Sequence, residues 1–279
     1  MTQNGSGSPQ YELYYNPFSI CSLMVLLTLR LKGDPKSLSD AVEPAEKEID
    51  IYTGEQMTEE FLEKNWKGQV PVLLSPSLSV QLTDSLDITN YLGEKYPGLA
   101  PSAHKETIKA LLDELHNVKY ITLSFKAEER RAEAIINAIQ TLVAEPTSSE
   151  KYKAALNKKL QYLLNTYGAN PHSPEETAKE ENKSRIYLGK ISKIIVSNGG
   201  KPSSDGRVWI FGEATGPTAL DAHTIVFIAR LLDAGRANLI GDDMLQWGKK
   251  HLESKEWQGI VQGRPTLHNL WEKQQKEKA

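Results

Sequence analysis

The sequence has one cysteine in 279 residues, Cys21. A lone cysteine excludes any disulfide within the chain and suits a reducing compartment, so a cytoplasmic setting is expected. Excess positive charge is also missing: 33 Lys and Arg stand against 36 Asp and Glu, for a net charge of −3. A nucleic-acid partner is therefore not expected, because phosphate neutralisation needs a basic face. Long apolar runs are absent. The greasiest, Leu23–Leu31, contains Arg30 and is too short to cross a bilayer, so it reads as a buried helix and no membrane partner is expected. The six histidines (His104, His116, His172, His223, His251, His268) show no ligand spacing, and no metal is indicated. Neither a GxGxxG nor a Walker motif occurs. The opening MTQNGSGSPQ lacks the apolar core of a signal peptide. Residues 1–10 are expected to form a disordered tail.

What is present is an ordinary globular composition, 39% hydrophobic and 25% charged, over a length that fits one large or two ordinary domains. The chain is organised around Tyr11–Gly33. Tyr11–Tyr15 alternates and is rich in aromatics, which predicts a strand. Asn16-Pro17-Phe18 breaks it, and Ser19 stands at a helix N-cap before the apolar run Ile20–Leu31. Such a corner presents unpaired N–H groups and a positive dipole end, and so favours an anion.

Further along, Lys47–Tyr52 predicts a second strand and Thr58–Lys64 a short helix. Val70-Pro71-Val72 begins an edge-like strand, entered through a candidate cis proline. Ser77–Thr83 is expected as its hairpin partner, and Asp84-Ser85 opens a helix over Leu86–Lys95. The linker Leu99–Ser102 follows. Beyond it, apolar spacing predicts helices over Lys105–Phe125, Ala127–Ala144, Ser149–Tyr167 and Ala178–Ser197, then Ala219–Ala234, Met244–Lys255 and Pro265–Lys276. Thr218 with Asp221 reads as a capping box, so Asp221 is expected to be structural. The fold class is an α/β thioredoxin-like N-terminal domain, residues 11–98, followed by an all-α C-terminal helical bundle, residues 103–279.

Four local features together resemble the glutathione S-transferase family. LYYNPFSICSLMV resembles the corner of its serine-type members, with a zeta-like Ser-x-Cys at Ser19-Ile20-Cys21. Asn65…Gln69-Val70-Pro71 resembles the family's turn with a cis proline. Asp84-Ser85 resembles its acidic-Ser motif, and Trp209–Asp221 its capping segment. The corner is also similar to that of fungal glutathione transferases of secondary metabolism, which form a C–S bond in gliotoxin-like epidithiodiketopiperazine pathways. The sequence departs from the family in its greasy first helix and in an enlarged region from Gly168 to Gly206.

The resemblance implies glutathione as co-substrate, an electrophilic small molecule as second substrate, and a homodimer. It implies Ser19 as the thiol-activating catalytic residue. Gln69, Val70, Pro71, Asp84 and Ser85 would bind glutathione, Lys67 being a weaker choice beside Gln69. Lowering a thiol from pKa ~8.5 by two units takes about 2.7 kcal/mol. A charged hydrogen bond of roughly 1.5–3 kcal/mol and a helix dipole of up to ~2 are of that order. Lys126 is expected as a second catalytic group. Asn16, Cys21 and Tyr120 are expected near substrate, with His116 and Ser124 on the same helical face. Competing readings are a helix cap for Ser19, a turn residue for Asn16, a buried neighbour for Cys21 and a solvated charge for Lys126. At the level of function, the alternatives are a glutathione-dependent isomerase and a non-catalytic glutathione-binding regulator.

Overall fold

The central strand β1 (Tyr11–Tyr15) buries Tyr11 and Leu13 on one face. It pairs in parallel with β2 (Pro44–Glu48) and antiparallel with β3 (Val72–Leu74), giving the order β2-β1-β3. Leu13 sits opposite Glu46 on one side and Leu73 on the other. Parallel neighbours need a crossover, and α1 (Ile20–Leu31) supplies it. Nearly every residue of α1 is buried, which explains its almost uniform apolarity. It packs against α3 (Ser85–Lys95) and the later helices α9 (Ala219–Asp233) and α11 (Lys255–Val261). The computed structural model describes residues 11–126, 131–167 and 171–278. The expected tail, residues 1–10, lies outside them.

Two strand expectations are corrected. The second strand runs over Pro44–Glu48 rather than Lys47–Tyr52. It lies at the edge of the sheet with exposed side chains, so alternation carries no register signal there. Buried Ile49, just past its end, still donates its N–H to the Tyr15 carbonyl at 2.8 Å. Ser77–Thr83 contributes only one isolated bridge, Leu82 to Leu73, and no strand.

Helices α2 (Glu59–Lys64) and α3 complete the first part. The remainder is helical: α4 (Lys105–His116), α5 (Tyr120–Ser124), α6 (Arg131–Ala144), α7 (Glu150–Tyr167), α8 (Pro174–Ser197), α9, α10 (Asp242–Leu252), α11 and α12 (His268–Lys278). The single helix expected over Lys105–Phe125 is broken between α4 and α5. There the Lys119 N–H leaves the helical ladder for the carboxylate of Glu180, buried on α8, at 3.0 Å. Before α9, Asp221 accepts from the Thr218 N–H (2.9 Å), the Thr218 hydroxyl (2.6 Å) and the Ile210 N–H (2.9 Å). The capping box is present, and it also fastens the Trp209–Phe211 segment.

The hairpin of α6 and α7 lies against α2 and the turn before it. Met57 and Leu62 pack there with Ile139 and Leu156 in an apolar cluster separate from the main core. The Tyr152 hydroxyl donates to the Met57 carbonyl at 2.6 Å.

Candidate active site

The corner between β1 and α1 is built by Asn16. Its Nδ2 donates to the Ile49 carbonyl and its Oδ1 accepts from the Phe18 N–H, both at 2.9 Å. Asn16 is buried, and its amide is consumed inside the turn. It shapes the corner and does not line the cavity in front of it, which corrects its expected place beside substrate. Ser19 caps α1: its Oγ accepts from the Ser22 N–H at 3.3 Å. The same hydroxyl donates to the Val70 carbonyl at 3.4 Å, a long contact. A group with a stronger pull on the proton, such as a thiolate, displaces a bond of that length at small cost.

Val70-Pro71 is a cis peptide bond. The loop before it is held by buried Asn65, whose Nδ2 donates to the Gln69 carbonyl at 2.8 Å and whose Oδ1 accepts from the Lys67 N–H at 3.1 Å. Gln69 and Val70 line the cavity. Lys67 does not: its ammonium lies over the ring of Tyr162, 5.6 Å from the centroid. Facing them, Asp84 caps α3 by accepting from the Leu86 N–H at 2.8 Å. Only its Oδ1 is used in that bond, so the other carboxylate oxygen is left for a cation.

Cys21 also lines the cavity. Burial pushes its thiol up to about 11, while a hydrogen bond from Ser85 and the charge of Arg230 act in the opposite direction. At neutral pH the sulfur is a neutral thiol. Against a cysteine at its ordinary value, the thiolate population at neutral pH falls about 100-fold. Alkylation of Cys21 by iodoacetamide is expected to be slower than that of free cysteine by about that factor, rising with pH towards 11. Fast labelling at neutral pH would contradict this assignment.

The helical part closes the cavity. His116, Tyr120 and Ser124 all line it, together with Lys119. The Tyr120 hydroxyl donates to the Leu115 carbonyl at 3.0 Å, so the cavity meets its ring rather than a free hydroxyl. His116 hydrogen-bonds His223 at 2.9 Å, and His223 hydrogen-bonds Thr89 at 2.9 Å. Burial lowers the pKa of both imidazoles, so the pair is neutral. Lys126 is a correction. Lys126, exposed past the end of α5, does not line this cavity and borders a separate surface pocket with Phe125, Glu181 and Arg236.

Two buried cations on the cavity wall were not among the expected residues. Arg230 on α9 is 4% exposed and donates to the Phe18 carbonyl, one residue before Ser19, at 2.7 Å. Burial lowers its pKa to about 10, so it stays charged at neutral pH. An arginine in the otherwise apolar run IVFIARLL is a legible sign of a buried, hydrogen-bonded charge. Lys159 on α7 is 3% exposed. It sits among several lysines in that helix, and nothing in the sequence singles it out. Among the described residues, no cluster of His, Cys, Asp or Glu can hold a metal ion.

The cavity measures about 530 Å³ and joins the β1–α1 corner, the cis-proline turn, the start of α3 and the helical wall. A small mixed sheet presenting a capped helix end beside a cis-proline turn, followed by helices only, defines a thioredoxin-like domain with an all-α continuation. Residues 13–100 match the family model of the glutathione S-transferase N-terminal domain. Two curated plant proteins are similar. Glutathione S-transferase 1 of Dianthus caryophyllus is 35% identical over 94 residues, covering 34% of this chain and 38% of that protein. A zeta-class glutathione S-transferase of Euphorbia esula is 37% identical over 103 residues, covering 36% and 41%. The chain thus spans about two fifths of the length of the curated relatives it matches. Likeness of fold extends much further. A beta-etherase, LigF, from Sphingobium sp. strain SYK-6 superposes over 91% of this chain and 99% of its own, with a TM-score of 0.60 and 17% identity. A glutathione transferase family member from Pseudomonas fluorescens, solved with two glutathione bound, covers 92% and 95%, with a TM-score of 0.55 and 17% identity.

Proposed function

We propose that the protein is a serine-type glutathione transferase that ionises glutathione at Ser19 and adds the thiolate to an electrophilic small molecule. One observation carries this reading: the Ser19 hydroxyl, at the positive end of α1, shares a cavity with Val70 and with the Asp84-Ser85 helix start. Backbone groups of Val70 pair with the cysteinyl unit as an added strand edge. The N-terminus of α3 takes the γ-glutamyl carboxylate and Asp84 its ammonium. Charge on sulfur is stabilised by the Ser19 hydroxyl and the α1 dipole, and the neutral Cys21 thiol stays a bystander.

In this reading, residues 11–98 bind glutathione and residues 103–279 hold the electrophile. Rings of Phe18, Tyr52, Tyr120 and Phe125 on the cavity wall suit an apolar, conjugated electrophile. The likeness of the corner to fungal enzymes of epidithiodiketopiperazine assembly favours an acyl imine, with formation of a C–S bond. The setting is cytoplasmic and the assembly a homodimer. No helix among the described residues is long and apolar enough to cross a membrane. A second reading, a glutathione-dependent isomerase, draws on Ser19-Ile20-Cys21 and on the zeta-class relative.

The test is calorimetric binding of glutathione, followed by incubation with a panel of electrophiles that includes freshly generated acyl imines. A thioether adduct with loss of glutathione is the expected result. Substrate conversion with glutathione regenerated would favour the isomerase. Binding with no turnover across the whole panel would favour a regulatory role, and absence of binding would end the proposal.

A further inference from the structure

Lys159 is a buried ammonium with no carboxylate partner among the described residues. It projects from α7 onto the loop that leads to Val70-Pro71, and donates to the carbonyls of Lys67 at 2.7 Å and Gly68 at 2.9 Å. An ammonium has three N–H donors, so one remains. The fit is close. Gly68 adopts φ +56°, and a Cβ there would lie 2.6 Å from the Lys159 Nζ and 2.8 Å from the Gln56 carbonyl. A side chain at position 68 would occupy the space the ammonium needs. Lys159 lines the same cavity as Ser19, Gln69 and Asp84. A second polar group there is unsatisfied: the Gln56 Oε1, also on the cavity wall, is buried with no hydrogen-bond partner.

A buried charge without a counter-charge is costly, and two neutral carbonyls offset only part of that cost. Burial alone lowers the Lys159 pKa, to about 8. Opposed to this, α3 presents its N-terminus at another wall of the cavity, with Ser19 and Val70 also on its lining. A peptide whose γ-glutamyl end lies at Asp84-Ser85 and whose sulfur lies at Ser19 directs its other end along Val70 and Gln69, towards Lys159.

We propose that the α6–α7 hairpin is part of the peptide-binding site, with Lys159 as the cation that takes the terminal carboxylate of the bound tripeptide. The inference rests on the glutathione reading above. It assigns to the helical part of the chain a share of glutathione recognition, in addition to holding the electrophile. It also gives the docking of α6 and α7 on the Met57 and Leu62 cluster a purpose, since that docking sets the height of Lys159 over the loop.

The test uses S-methylglutathione, which has no ionisable thiol, together with its glycyl ethyl ester and with S-methyl-γ-glutamylcysteine. Binding to the intact protein is measured by calorimetry for the native chain, Lys159→Gln and Lys159→Arg. The native protein is expected to prefer the free carboxylate by about ten- to a hundredfold, the range of one charged hydrogen bond. That preference should decline as pH rises through about 8. Lys159→Gln should bind all three ligands with similar weakness, and Lys159→Arg should keep the preference. Glutamine can still donate to one loop carbonyl, and arginine keeps the charge should glutamine impair folding. If folded Lys159→Gln keeps the native carboxylate preference, the assignment fails and the glutathione reading stands; if glutamine does not fold, Lys159→Arg should hold the preference above pH 8, where the native lysine loses it, and identical pH profiles in the two proteins make the assignment fail. The same holds if the native protein is indifferent to the ester. If the native protein binds none of the three ligands, both are overturned.

Discussion

If the protein conjugates glutathione as proposed, Ser19→Ala is expected to lower kcat/KM for that reaction by about ten- to a hundredfold, the worth of one hydrogen bond to a charged sulfur. On that reading the residue has two jobs, and the test must separate them. Its Oγ caps α1 through the Ser22 N–H, and losing a cap costs about 1 kcal/mol of stability. Aspartate caps a helix as well as serine does. Ser19→Asp should therefore keep its thermal stability while placing a negative charge where the thiolate forms. Its activity should fall further than that of alanine, because a like charge opposes ionisation. The ultraviolet absorption of bound glutathione thiolate should disappear in both variants. Native activity in a stably folded Ser19→Asp protein would show that the sulfur does not approach this hydroxyl.

The parts of this site that could be read from the sequence are those built by local chemistry. Ser19 and Asp84 at the site, like Thr218 away from it, cap helices because a short oxygen-bearing side chain just before a helix finds its own backbone N–H groups, whatever lies around it. The proline turn at Val70-Pro71 is local in the same sense. The strand β2 was not legible, because an exposed edge does not impose inside-outside alternation. Lys126 was misplaced for a long-range reason. Its expected position assumed one continuous helix from Lys105, and Glu180, far along the chain on α8, draws the Lys119 N–H out of that helix. Lys159 was invisible for a related reason: only the docking of α7 across α2 tells it apart from Lys158, which is exposed over the Trp66 ring.

Arg230→Met is expected to destabilise the protein far more than loss of the Ser19 cap. The guanidinium donates through Nε to the Thr266 hydroxyl at 3.1 Å, through one terminal nitrogen to the Ser124 hydroxyl at 3.0 Å, and through the other to the Phe18 and Thr266 carbonyls, both at 2.7 Å. It joins α9, α5, the segment before α12 and the β1–α1 corner. Methionine fills part of the volume but supplies no donor. Each buried acceptor left unpaired costs about 1–3 kcal/mol. Asp233, which accepts from the Thr266 N–H and hydroxyl, also loses the positive charge nearby. A loss of about 3–6 kcal/mol follows, a large share of the ~5–15 kcal/mol that holds a typical fold. Thermal unfolding should shift down on the order of 10 °C, and an unchanged midpoint would contradict the hub role. Arg230→Lys keeps the charge but not the planar fork, so its ammonium cannot reach all four acceptors at once. That variant should fold with an intermediate midpoint. Because the Phe18 carbonyl precedes Ser19 directly, its remaining defect should appear in the glutathione reaction rather than in stability alone.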